Sequence, residues 1–225
     1  MSVLTNEQKV EILSEIVAIP SVNDNELAVA QYLAQWLNQY DIDTHIDYIS
    51  GQRANLIATI GSGKPVVAVS GHMDVVNEGN HDDWTSPPFE LTERNGHLYG
   101  RGAADMKSGL AALVIAMIEI KASGQLKNGT IKLLATAGEE MEQAGSEQLY
   151  RKGYMDDVDA LVIAEPSYPS IVYAHKGSMD IKITSKGRSS HSSTPFMGEN
   201  AITPLIELIQ NINQAYEDIT QSIKG

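Results

Sequence analysis

The sequence predicts an α/β protein, a sheet covered on both faces by helices. Short runs of β-branched and aliphatic residues alternate with longer runs whose apolar residues recur at helical spacing. Several of the β-type runs are followed within a few residues by His, Asp or Glu. The composition, 42% hydrophobic and 20% charged, is that of an ordinary globular chain.

Each element follows from its local pattern. Thr5 with Gln8 makes a capping box, and Val10, Leu13, Ile16 and Val17 continue at helical spacing up to Pro20. A second amphipathic helix covers about 26–40, with Leu27, Ala30, Leu33 and Leu37 on one face. Strand-like runs follow at 44–49, 55–60 and 66–70. Residues 77–88 are almost all turn formers and predict an exposed loop. A hairpin at 91–99 turns at Asn95-Gly96. Then come a helix at 107–123, a strand at 130–137, a helix at 143–152 and a strand at 160–164. The pattern changes near Gly177. Residues 179–185 alternate apolar and polar, as in a strand with one wet face. A Ser/Gly/Pro-rich loop at 188–198 leads to a helix at about 202–216. The expected division is 1–176 and 177–225. The second part cannot bury a face alone, so it is expected to pair with something else or to continue beyond residue 225.

Composition excludes several functions. With 16 Lys+Arg against 29 Asp+Glu, the net charge of −13 disfavours nucleic acid and anionic membranes as partners. The absence of Cys removes disulfides, thiol nucleophiles and Cys-ligated zinc, and fits a reducing compartment. Residues 1–15 are charged and helical in pattern, so no signal peptide is expected; the apolar run 110–118 is too short to span a bilayer. The expected location is the cytoplasm.

The chemistry gathers at strand ends. His72 and Asp74 follow the strand at 66–70, Glu139 and Glu140 follow the one at 130–137, and Glu165 follows the one at 160–164. In α/β sheets, sites form beyond the carboxyl ends of strands. Asp105 sits in a Gly-flanked turn before a helix, where it suits an N-cap as well as a ligand. Taken singly, each residue reads as solvated polar surface. Together, neighbouring carboxylates repel one another unless a cation or proton compensates. One His with several carboxylates and no thiol suits zinc, cobalt or manganese. The economical arrangement is two metals sharing one carboxylate, with another carboxylate left as a base. Glu139 and Glu140, as neighbours on extended backbone, would point to opposite sides. Asp74 is placed to hydrogen-bond the His72 imidazole.

The strings SGHMDVV (70–76), WTSPPFELTERNGHLYGRGAADMKSG (84–109), ATAGEEMEQAGS (135–146), AEPS (164–167) and GRSSHSSTPFMGENAI (187–202) resemble, in register, the M20 metallopeptidase family. The likeness is nearest to its ArgE/DapE/aminoacylase branch and covers essentially the whole chain. It implies a three-layer zinc-exopeptidase-like catalytic domain, incomplete here, followed by the start of an α+β lid and dimerisation domain. It implies two zinc ions per complete enzyme, with cobalt or manganese as substitutes. His72, Asp105 and Glu165 would hold one ion, with Asp105 as the bridge. Glu140 would ligate the second ion and Glu139 would act as general base. Asp74 would support His72, and His191 would polarise the scissile carbonyl. The Asp105–Met106 peptide is a candidate for the cis form. Family members are longer, and a late His completes their second site, whereas this sequence has no His after His191.

The activity implied is removal of an acyl group from an N-acyl amino acid by a cytoplasmic homodimer, as in succinyl-diaminopimelate desuccinylase or acetylornithine deacetylase. A dipeptidase or carboxypeptidase of the same family is one alternative. A non-catalytic fragment that binds one ion through His72, Asp105 and Glu165 is the other.

Overall fold

Successive buried side chains on the central strands face opposite sides of the sheet and divide the core into two layers. In a computed structural model, which describes residues 2–168, 170–174, 176–177, 179 and 181–223, the chain divides into two units, Met1–Ile171 and Val172–Gly225. The first unit holds a mixed five-stranded sheet. Its strands are β1 (Asp43–Ser50), β2 (Arg53–Ser62), β3 (Val66–His72), β6 (Gly129–Thr136) and β7 (Ala160–Ile163), in the order β1-β2-β6-β3-β7. β1 and β2 pair antiparallel, as do β2 and β6, while β6–β3 and β3–β7 are parallel. The parallel register sets His72 opposite Thr136 and Ser70 opposite Ile163. Three strands therefore finish side by side at one edge. The hairpin is β4 (Thr92–Arg94) with β5 (His97–Tyr99).

Leu56, Ala58 and Ile60 of β2, with Leu133 and Ala135 of β6, pack beneath α1 (Asn6–Ala18), α2 (Glu26–Asn38) and α3 (Ser108–Ser123). The intervening Ile57 and Leu134 face the other way. They pack with Ala68 of β3 and with Leu149 of α4 (Ala144–Arg151). The result is the helix–sheet–helix layering expected of the sequence. The α1 capping box forms as expected, with the Thr5 side chain on the Gln8 amide and the Gln8 side chain on the Thr5 amide. Among the described residues, no helix is long and apolar enough to cross a membrane.

Close packing also fixes the end of β7. Gly109 lies in the first turn of α3, and a Cβ there would lie 2.1 Å from the Ala164 carbonyl oxygen. Gly109→Ala must push α3 away from the strand end that carries Glu165. Overpacking of this kind costs about 1–3 kcal/mol. Urea unfolding should show that loss, and unchanged stability would contradict the contact.

The second unit contains an antiparallel bridge between Arg188 and Glu199, a short 3-10 turn at Pro195–Met197 and α5 (Ile202–Ile223). Asn200 caps α5, its Oδ1 accepting from the Ile202 amide at 2.8 Å. Two expectations change here. No strand forms in the described part of 179–185, while Asp180 lies outside the described residues. A strand needs a partner ladder, and among the described residues of this unit only the isolated Arg188–Glu199 bridge provides one. The helix runs past residue 216 to Ile223, because the apolar spacing continues through Ile219 and Ile223.

Candidate metal centre

His72 is the last residue of β3 and is almost fully buried. Its Nδ1 lies 2.8 Å from the Asp74 carbonyl oxygen, so this nitrogen carries the proton and donates it. Its Nε2 then faces a ring of carboxylates. Asp105 Oδ1 is 3.1 Å away, Glu165 Oε1 3.7 Å and Glu139 Oε2 3.9 Å. Three separate segments bring carboxylates to one imidazole. Two sets of possible ligand atoms lie within 4.8 Å of one another: His72, Glu139 and Glu165, and His72, Asp105 and Glu140.

Local geometry explains how each group arrives. Glu165 comes one residue after Ala164, whose amide extends the β3 pairing to the Ser70 carbonyl. Asp105 lies in a wide turn, Ala103–Lys107, and its backbone there is not helical. It does not cap α3, which starts at Ser108, so the N-cap reading falls. The Asp105–Met106 peptide is cis, as the resemblance implies. Gly102 opens the turn at a φ of +78°, and a Cβ there would meet Val75 at 2.4 Å.

Two details differ from expectation. Glu139 and Glu140 lie in a turn beyond β6, not on extended backbone. The turn follows Gly138, at a φ of +70°, where the chain must leave the sheet plane. The two carboxylates still divide between the two candidate ligand sets. The buried Asp74 carboxylate accepts from the amides of Glu139 at 3.1 Å and Glu140 at 3.0 Å. Its carbonyl, not its carboxylate, takes the closest bond from His72; Asp74 Oδ1 lies 3.6 Å from Nδ1. Asp74 thus holds the Glu139–Glu140 turn and orients the imidazole through different atoms.

The electrostatics are those of a site short of positive charge. Burial, reinforced by Asp105 and Glu139, pushes Glu165 up to about 6 against the pull of His72. Burial first and then Asp105 also raise Glu140. Burial alone would lower His72, but Asp74, Glu165, the Asp74 carbonyl and Glu139 outweigh it and raise the imidazole. The surplus carboxylates must share protons with His72 or be neutralised by a cation. The donor set, imidazole nitrogen and carboxylate oxygen, fits a borderline or hard divalent ion. Lys107 supplies little compensation. It is buried, its Nζ donates to the carbonyls of Ile16 at 2.6 Å and Ile19 at 2.9 Å, and burial lowers it to about 7.

A cation needs the deprotonated forms, so ion binding should release protons and weaken as pH falls through about 6. The sign for the ion-free fold is opposite to that of an ordinary paired carboxylate. The folded pKa of Glu165 lies above its usual 4.5, so its contribution is present below 4.5 and is lost as pH rises through about 6. Calorimetry in buffers of different ionisation enthalpy should show more protons released at pH 6 than at pH 8. Equal release would contradict the arrangement.

His191 lies in the second unit, exposed, with its Nδ1 accepting from the Ser193 amide at 3.2 Å. Sequence reasoning missed Arg53, Asn55 and Glu26. Asn55, fully buried in β2, accepts from the Ala137 amide and donates to the Gly145 carbonyl, each at 3.1 Å. Polar Arg53 and Asn55 at the start of a strand that continues Leu56-Ile57-Ala58 were the available signal.

Residues 68–224 match the profile described as Peptidase family M20/M25/M40. A Staphylococcus epidermidis protein named probable succinyl-diaminopimelate desuccinylase is 53% identical over 224 residues, which is 100% of this chain and 55% of that protein. The chain thus spans about half the length of the curated relatives it matches. Human carnosine dipeptidase 1 is 28% identical with a TM-score of 0.56, over 70% of this chain and 38% of that one. A Staphylococcus aureus tripeptidase is similar in fold, at 22% identity and a TM-score of 0.62, over 92% of this chain and 56% of that one.

Proposed function

The chain belongs to peptidase family M20/M25/M40, and on that premise we propose that the whole protein is a metal-dependent amidohydrolase that cleaves succinyl-diaminopimelate to succinate and diaminopimelate. The observation that carries the reaction class is the convergence of Asp105, Glu139 and Glu165 on His72 Nε2. The choice of substrate is supported by the relative at 53% identity that carries this name.

Residues 1–176 act as the catalytic part and 177–225 as the start of a lid through which two copies pair. His72, Asp105 and Glu165 would hold one zinc ion and Glu140 a second, with Asp105 shared. Cobalt and manganese satisfy the same donors. When bound, such ions make water acidic enough to ionise near neutral pH. Glu139 receives the proton of the attacking water and delivers it to the leaving amine. Its carboxylate is 47% exposed, open to an incoming substrate. His191 polarises the scissile carbonyl. Water adds across the amide: its oxygen goes to the acyl carbon and its protons to the released amine and acid. The cytoplasm, where amino-acid precursors are made, is the proposed location.

His191→Ala should lower kcat by about 100-fold while leaving metal affinity unchanged. Unchanged kcat would remove His191 from the carbonyl. The reading as a whole is tested by a hydrolysis panel on the whole protein: succinyl-diaminopimelate, acetylornithine and several dipeptides. The highest kcat/KM should belong to succinyl-diaminopimelate. Preference for dipeptides would move the protein to the peptidase branch, and no hydrolysis of any of them would overturn the reading.

A further inference from the structure

Glu139 Oε2 lies 3.9 Å from His72 Nε2, beyond hydrogen-bond reach, so the turn that carries it must supply its orientation. Asp74 holds the amides of Glu139 and Glu140 from one side. Asn55 ties the two ends of the segment, at Ala137 and Gly145. The start of the turn, Gly138, lies directly against a guanidinium. A Cβ at Gly138 would be 1.9 Å from Arg53 Nη2 and 3.1 Å from its Cζ.

Arg53 is itself held from two directions. Its Nε lies 3.4 Å from Oε1 of Glu26, a fully buried carboxylate in the first turn of α2. Its Nη1 donates to Glu142, on the far side of the same turn. Among the described residues, Arg53 is the one ion-pair partner of Glu26. A buried ion pair is poor value as a stabiliser, because desolvation offsets most of its attraction. Its geometry, in contrast, is specific. A planar fork reaches Glu26 through Nε and Glu142 through Nη1 while its Nη2 lies against Gly138, which a lysine ammonium cannot reproduce.

We propose that Arg53, anchored by Glu26 and Glu142, is a positioning residue that clamps the Gly138–Glu142 turn and so aims Glu139 and Glu140 into the centre. This inference rests on the roles assigned above to Glu139 and Glu140. Gly138 is then required for two reasons, its positive φ and the guanidinium against it.

The test compares Arg53→Met with the double variant Glu26→Met/Arg53→Met in the whole protein. Thermal unfolding, cobalt titration followed by visible absorbance, and separate kcat and KM values are measured. The single variant strands the Glu26 charge and should lose both stability and kcat. The double variant removes both charges and should recover most of the thermal stability. Its kcat should nevertheless stay down by about 100-fold with KM little changed, as expected for a misplaced base. Its second cobalt equivalent should bind at least about tenfold more weakly. Recovery of kcat and cobalt affinity together with stability would show that the pair is only structural, and would overturn the proposal. Should the wild-type protein hydrolyse no amide, the proposed function fails, and cobalt titration still decides the role of Arg53. Glu142→Gln is at a side chain 56% exposed and leaves the core intact, so it gives a second check. It should weaken the second cobalt equivalent in the same direction, and wild-type cobalt binding in both it and the double variant overturns the clamp.

Discussion

Glu139→Gln in the whole protein is expected to lower kcat by about 10²–10⁴-fold, the usual contribution of a positioned proton carrier. Gln keeps the size of the side chain and leaves the backbone amide free to bond Asp74, so the turn should stay in place. It cannot accept and return a proton. Ion content, measured by elemental analysis, should remain that of the wild type, because the remaining groups around His72 are untouched. A fall in kcat without loss of metal separates a base from a ligand. Retained turnover would defeat the assignment, and loss of metal would make Glu139 a ligand.

Asp105→Ala should have the other large effect. Asp105 is the carboxylate nearest to His72 Nε2, at 3.1 Å, and its carboxylate also acts on Glu140 and Glu165. Its removal takes a donor from the middle of the cluster. Metal affinity should fall by more than about 100-fold, beyond the 10–100-fold typical of losing an outer partner, and activity with it. With less negative charge nearby, Glu165 should also titrate below about 6, which NMR of the metal-free protein would detect. Full metal occupancy in Asp105→Ala would contradict a shared ligand.

Much of this was legible in the sequence, for physical reasons that can be named. β3, β6 and β7 each run as apolar stretches and then change abruptly to His, Glu-Glu and Glu, which marked both the strand ends and the edge where a site forms. The helices announced themselves through caps and periodicity, as at Thr5 and along α2. What the sequence did not reveal depends on partners distant along the chain. Asp74 follows His72 by two residues, so a bond to its imidazole was the natural expectation. The carboxylate instead meets amides 65 and 66 residues away. The Glu139–Glu140 backbone is a turn because Gly138 leaves the strand, and a run of residues after a strand does not show where pairing stops. The alternation at 179–185 suggested a strand, but alternation is only half of a strand and a ladder is the other half. Arg53 and Glu26 stand 27 residues apart on different elements, and no local pattern joins them.

The claim on which the rest depends is that the His72 cluster is a metal centre that drives amide hydrolysis. Reconstitution tests it most directly. The whole protein is stripped with a chelator, and zinc is returned in measured equivalents while succinate release from succinyl-diaminopimelate is followed. Activity should vanish on stripping and return in proportion to zinc, reaching its plateau by two equivalents per chain. Turnover that survives complete removal of metal would contradict the account.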